Sequence, residues 1–272
     1  MKRISLLFVF FIWLVPVGYA KGKILATPGV STFEGSAGGG LVPWAQLAGY
    51  DSEDEYSTTG FCTRAGLKDF DLSVCGVQLG LYDRIEMSAA KQSLGVQPLG
   101  LAIEQDIWGI KTRLYGDIIY SKWPQVSFGV QHKRLQDRAV AASLGVSQFS
   151  ANDYYISASK LHLAAASGYH LFWNLTLRRT AAIETGFLGF SSDAQWQPEV
   201  SAAAFLNHEF AIGMEYRTKP DELAIGESHW RDLFIAWFPN KQVNVTFAYL
   251  DFKQVAAIPQ QNGWYLSLSG SF

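Results

Sequence analysis

Residues 262–272, NGWYLSLSGSF, are the stretch whose reading decides the fold. Leu266, Leu268 and Phe272 alternate with Ser267, Ser269 and Ser271, and Gly270 falls on the apolar register. Side chains alternate between the two faces of a strand, so this is a strand with one apolar and one polar side. The sequence stops on Phe272. A terminal strand of a soluble sheet would fit the same pattern, so the rest of the chain must choose.

Working back from this strand, the same grammar recurs. Val243, Val245, Phe247 and Tyr249 alternate with Asn244, Thr246 and Ala248, and Ile212, Met214 and Tyr216 alternate with Gly213, Glu215 and Arg217. Trp173, Leu175 and Leu177 alternate with Asn174, Thr176 and Arg178, and Ile85 and Met87 with Glu86 and Ser88. Helical periodicity is absent from these windows. The pattern predicts twelve strands, near 59–67, 70–80, 84–92, 106–118, 124–134, 153–163, 170–180, 198–208, 210–218, 229–238, 241–252 and 262–272. Each is long enough to cross a membrane at a tilt. Short connections are expected near 81–83, 119–123, 164–169, 209 and 239–240. Long ones are expected near 93–105, 135–152, 181–197, 219–228 and 253–261. That two-sided rhythm, with an even strand count, points to an all-β fold, a closed antiparallel transmembrane β-barrel with both termini periplasmic. A fourteen-stranded barrel using the glycine-rich segment described below is the alternative.

Composition agrees. Lys2 and Arg3 precede an apolar run from Ile4 to Val17, and small residues precede a cut after Ala20, so residues 1–20 read as a secretory signal peptide. Its removal shifts the formal charge from −2 to −4, which argues against a nucleic-acid partner. Aromatic residues make up 14% of the chain and charged residues only 17%, as lipid-facing strands require. Several aromatics stand where strands should leave lipid, among them Tyr120, Trp123, Tyr154, Tyr155, Phe172, Trp173, Trp230, Trp237, Phe238, Trp264 and Tyr265, and they suit two interfacial girdles.

Residues 21–58 form an irregular N-terminal segment ahead of a barrel at 59–272. Thr32 to Gly40, TFEGSAGGG, is a weak strand or a close-packed turn against the barrel. Asp51 to Glu55 holds four acids without the spacing of a calcium loop, so it reads as a solvated face. Lys68-Asp69 makes a two-residue turn, which sets Cys62 directly opposite Cys75 on the side taken as polar. These are the only cysteines, and a secreted chain oxidises them, so a structural disulfide is expected.

The last strand, with its terminal Phe272, resembles the closing strand of bacterial outer-membrane barrels. That resemblance implies insertion by the barrel assembly machinery, which reads Phe272, into an outer membrane of lipid and lipopolysaccharide. The segments ATPGVSTFEGSAGGGLVPWAQLAGY (26–50), EYRTKPDEL (215–223) and WFPNKQVNVTFAY (237–249) resemble the hallmark segments of an uncharacterised family of signal-peptide-bearing Gram-negative proteins. No activity, cofactor or site residue is carried over from that family.

The remaining chemistry lies in ionisable residues of the polar register. Glu86, Arg113, Lys160, Arg178, Glu199, Glu215 and Arg217 are the candidate lumen-lining residues, because charge is costly against lipid. They either line a water-filled path or pair and plug the barrel. Ser159 and His162 fall on opposite faces, and no histidines have zinc spacing, so neither a catalytic site, a metal site nor a cofactor is expected. The favoured reading is a narrow channel or transporter for a small solute, including an apolar one. The alternatives are a structural or assembly barrel with partner-binding outer loops, and a surface enzyme without a recognisable motif.

Overall fold

The computed structural model describes residues 23–221, 223 and 228–272; the expected signal peptide lies outside them. Two short strands, β1 (Val30–Ser31) and β2 (Ala37–Gly38), precede the long ones. These are β3 (Tyr56–Leu67), β4 (Phe70–Leu81), β5 (Ile85–Val96), β6 (Leu101–Tyr115), β7 (Gln125–Leu135) and β8 (Ser150–Ala166). They continue as β9 (Tyr169–Ala182), β10 (Phe190–Phe205), β11 (Phe210–Arg217), β12 (Trp230–Trp237), β13 (Val243–Val255) and β14 (Ile258–Ser271). Strands β3 to β14 form a closed antiparallel barrel in which each pairs with its sequence neighbours and β14 returns to β3. The barrel is twelve-stranded, because β1 and β2 pair only with each other. Thr58 and Phe272 exchange two backbone hydrogen bonds of 2.8 Å, so the last residue completes the seam. Its side chain shares the outward register with Leu266 and Leu268.

The outer wall carries an apolar band made of residues such as Leu175, Met214, Leu233, Ile235, Phe247 and Leu266. Tyr120, Trp123 and Trp237 flank it towards the end that holds both ends of the barrel chain, here called the terminal end. Trp196, Tyr216, Tyr249 and Trp264 flank it towards the other, the distal end. The sequence-based girdle is corrected in one respect: Tyr155, Phe172, Trp230, Phe238 and Tyr265 are buried. The pleat explains this for pairs such as Tyr154-Tyr155 and Trp264-Tyr265, since adjacent residues of a strand cannot share a face.

Loop lengths depart from the expected rhythm. Long loops were expected near 93–105 and 253–261, but the chain turns within Gln97–Gly100 and at Ala256-Ala257. Much of the expected loop 181–197 is the first half of β10, whereas the expected short turn near 119–123 is a longer segment, 116–124. The reason is physical. The strands run on past the apolar band, and their outward positions there carry Lys91, Glu104, Asp251 and Lys253, which face water. Hydrophobic alternation ends at the membrane boundary while the hydrogen-bonded ladder continues. Lys91 and Glu104 form an ion pair of 2.7 Å in this belt.

Residues 26–50 fill the lumen as a finger that enters and leaves through the terminal end. Nearly all of them are buried. Its two ends are pinned together there, where the Ala26 amide donates to Tyr50 Oη at 3.1 Å. Burial, partly offset by that bond, pushes the Tyr50 hydroxyl up to about 12, so it stays protonated. Asp51, expected on a solvated face, is instead fully buried and accepts from Ser57 Oγ at 2.8 Å and from the Asp83 amide at 2.7 Å. The glycine run lies against the wall, and close approach explains its composition. A side chain on Gly39 would stand 2.0 Å from the Glu215 carboxylate, and one on Gly38 would stand 2.3 Å from the Val42 carbonyl. At the distal end residues 183–189 fold inward and cap the finger, and all of them are buried. No helix among the described residues is long and apolar enough to cross a membrane.

Candidate functional site

The finger is held by a buried ionic hub near the distal half of the lumen. Glu34, the finger's contribution, lies against three cations of the wall. Its carboxylate accepts from Arg217 through two bonds of 2.8 and 2.9 Å, pairs with Arg178 at 3.1 Å, and pairs with Lys133. Arg178 also donates to Glu199 at 2.7 Å and to Asp153 at 3.3 Å, and Lys133 lies 2.7 Å from Asp153. Three carboxylates and three cations therefore balance in a dry site. Burial alone would push the Glu34 carboxyl up, but Arg178, Arg217 and Lys133 together hold it well below the usual carboxylate range.

Two further clusters fix the rest of the finger. Glu86 accepts from the amides of Ala37 and Ala48 at 3.0 and 2.8 Å and pairs with Lys111 at 3.0 Å. Lys111 in turn donates to the Ala37 carbonyl at 2.9 Å. Glu215 accepts from the Leu41 amide at 2.6 Å and, with Ser201, receives the Trp44 indole N–H. Ser159 accepts from the Ala45 amide, and Thr176 donates to the Pro43 carbonyl. Every hydrogen bond between finger and wall among the described residues uses a wall side chain, never the wall backbone. The barrel ladder is therefore complete without the finger.

Of the residues expected to line the lumen, Glu86, Arg178, Glu199, Glu215 and Arg217 face inward and are buried together with the finger. They line a packed interior. Arg113 keeps the inward register but sits at the terminal rim, where it pairs with Asp83 and Asp117 and donates to the Gly116 carbonyl. Lys160 is a correction. Inward positions of β8 are Asp153, Tyr155, Ser157 and Ser159, so Lys160 points outward, opposite Trp173. It is shielded because segment 116–124 folds over it, and its ammonium donates to the carbonyls of Asp117, Ile119 and Ser121.

Cys62 and Cys75 are bonded to each other, as their symmetric placement predicts. They stand on the outer face, whereas the sequence reading put them on the polar side. In β3 and β4 it is Phe61, Thr63, Ala65, Phe70 and Val74 that point inward and pack around the finger. A filled lumen makes an apolar inner face favourable, so polarity no longer marks the inside there. Glu34, Lys111, Lys133, Asp153 and Asp232 were missed. The wall residues among them sit on inward registers that correct phasing of β6, β7, β8 and β12 would have identified. Glu34 lies in irregular chain with no period to place it.

Between finger and wall at the terminal end lies an apolar cavity of about 240 Å³. Trp44 packs at a tilt against Phe172 and Phe234, with ring centroids 4.4 and 6.4 Å away, and lines the cavity from the finger side. His170, Asn207 and His208 stand at its mouth. Gly29 adopts φ +74° beside it, where a side chain would strike the Trp44 ring.

A family model described as "Protein of unknown function (DUF3034)" matches residues 27–269. No functionally curated protein matches the sequence. Among solved structures, the KdgM porin is similar over 79% of this chain and 99% of its own, with 8% identity and a TM-score of 0.53. The Acinetobacter baumannii outer membrane protein Omp33 is similar over 81% and 100%, with 8% identity and a TM-score of 0.48. The NanC porin is similar over 79% and 99%, with 9% identity and a TM-score of 0.47. At these identities the likeness to KdgM concerns the barrel fold alone.

Proposed function

The chain belongs to the DUF3034 family of unknown function, and we propose that this outer-membrane β-barrel passes a small solute when its N-terminal finger moves aside. The observation that carries the reading is the mode of attachment. Residues 26–50 contact the wall only through wall side chains, by hydrogen bonds, the Glu34 ion pairs and packing, so the finger can shift without opening any strand pair. A closed barrel of this size is wide enough to hold either a channel or a plug. In this reading both termini are periplasmic, and the finger enters from the periplasm, where a partner or a solute gradient can act on it.

The competing reading is a permanently sealed barrel with a structural role. The charge balance of the Glu34 hub favours it, since such a network resists release. Covalent locking separates the two. Ala45→Cys with Ser159→Cys, in a Cys62→Ala/Cys75→Ala background, joins finger to wall where the Ala45 amide and Ser159 hydroxyl lie 2.9 Å apart. Passage predicts solute flux into proteoliposomes under reducing conditions and none after oxidation. A sealed barrel gives no flux in either state.

A further inference from the structure

We infer that the apolar cavity at the terminal end is a binding site for a small apolar molecule carrying one hydrogen-bond donor, of the size and kind of an alkyl-substituted phenol. The inference rests on the passage reading for its biological sense, and it names the class of solute.

The cavity has a defined size, wall and polar point. Its volume of about 240 Å³ exceeds the roughly 150 Å³ of an apolar cavity that accepts benzene, so it suits a single ring with a short side chain. Five aromatic rings stand in the otherwise aliphatic walls: Trp44 from the finger, and Phe172, Phe205, Phe234 and Phe238 from the barrel. Rings of this kind favour an aromatic guest in offset or edge-on contact. Deep in this lining stands Gln46, which is 3% exposed. Its side-chain oxygen has no hydrogen-bond partner among the described residues. A buried acceptor without a donor costs on the order of 1–3 kcal/mol; the oxygen is covered by its neighbours, so the Gln46 amide must turn toward the cavity to take the donor that a guest hydroxyl would supply. At the mouth, His170 Nδ1 accepts from the Ala164 amide at 3.0 Å, which leaves the proton of a neutral ring on Nε2. No ionised side chain lines the cavity apart from its histidine-bearing mouth, so a charged guest would lack a counter-ion.

Occupation of this site also bears on the finger. Ala26, Thr27, Gly29, Val30, Trp44 and Gln46 belong to the finger and Ile24 and Leu25 to the chain just ahead of it, whereas the remaining walls belong to the barrel. A guest therefore sits in the seam along which the finger would have to part from the wall.

The test uses the full mature chain in lipid nanodiscs, with empty nanodiscs subtracted to remove partitioning. The probes are para-propylphenol and its methyl ether, which has the same shape without the donor. We expect saturable calorimetric binding of the phenol and about fivefold weaker binding of the ether, the scale of one net hydrogen bond. Gln46→Leu should bring the two probes to equal affinity. Ala211→Phe, which projects a ring into the cavity, should abolish saturable binding; should it fail to give the heat-modifiable folded form, Ala236→Leu serves in its place. Equal binding of phenol and ether to wild type, or unchanged binding to the filled variant, overturns the inference. So does native mass spectrometry showing a phospholipid chain in the site that the phenol does not displace. Binding without finger-dependent flux would instead leave the site standing and remove the passage reading, and flux without binding would do the reverse.

Discussion

Glu34 decides how firmly the lumen is closed. It is the finger's one charge in a hub that otherwise holds two wall acids, Asp153 and Glu199, against three wall cations, Lys133, Arg178 and Arg217. Glu34→Gln leaves one cation uncompensated in a dry site, and breaking a buried pair from one side costs about 3–5 kcal/mol. Hydrogen exchange of the amides at 26–50 should accelerate accordingly, while exchange in the barrel strands stays slow. The pH dependence has a definite sign. Because the folded-state pKa of Glu34 lies well below its ordinary value, its contribution is fully present above about pH 4.5 and is lost as pH falls through the folded value. The difference in finger exchange between wild type and Glu34→Gln should thus be constant near neutrality and shrink in strong acid. Glu34 was illegible in the sequence because its neighbours, Phe33 and Gly35, set no period. Lys160 was misplaced because its residue type suggested the lumen while the phase of its strand did not.

At the scale of elements, strands and finger obey different rules. Strands were legible wherever their outward side met lipid, because lipid enforces apolar residues at every second position. Their distal ends were read as loops because charge begins at Lys91 and Asp251, the ends of the predicted strands, and recurs at Glu104 and Lys253 beyond them, although pairing continues. The first hairpin shows the opposite effect. Its alternation was visible, but its apolar side faces the finger, which reversed the placement of Cys62 and Cys75. Their disulfide staples two strands already joined by a full ladder. Cys62→Ala/Cys75→Ala should therefore still assemble into a heat-modifiable barrel, with its stability lowered by about 2–4 kcal/mol as the cross-link is lost. Failure of that double variant to assemble would show that the bond guides insertion as well as stabilising the product.

For the whole molecule, the outer band and the filled interior make separate demands. Leu175 is 55% exposed and stands in the apolar band, so Leu175→Arg should destabilise the membrane-inserted barrel by about 2–4 kcal/mol. The interior closes the path that mixed charges on the inward register first suggested, and it does so with chain from outside the barrel wall. The central claim is that the finger, residues 26–50, is a removable closure on a barrel that is complete without it. Single-channel recording in planar bilayers, comparing the wild type with a variant in which residues 26–50 are replaced by a short Gly/Ser linker, tests this most directly. The account predicts rare, brief openings of the wild type as the finger moves aside, and stable, ohmic openings of the variant. A variant that folds as a heat-modifiable barrel yet stays silent, or a wild type that conducts as well as the variant, would contradict it.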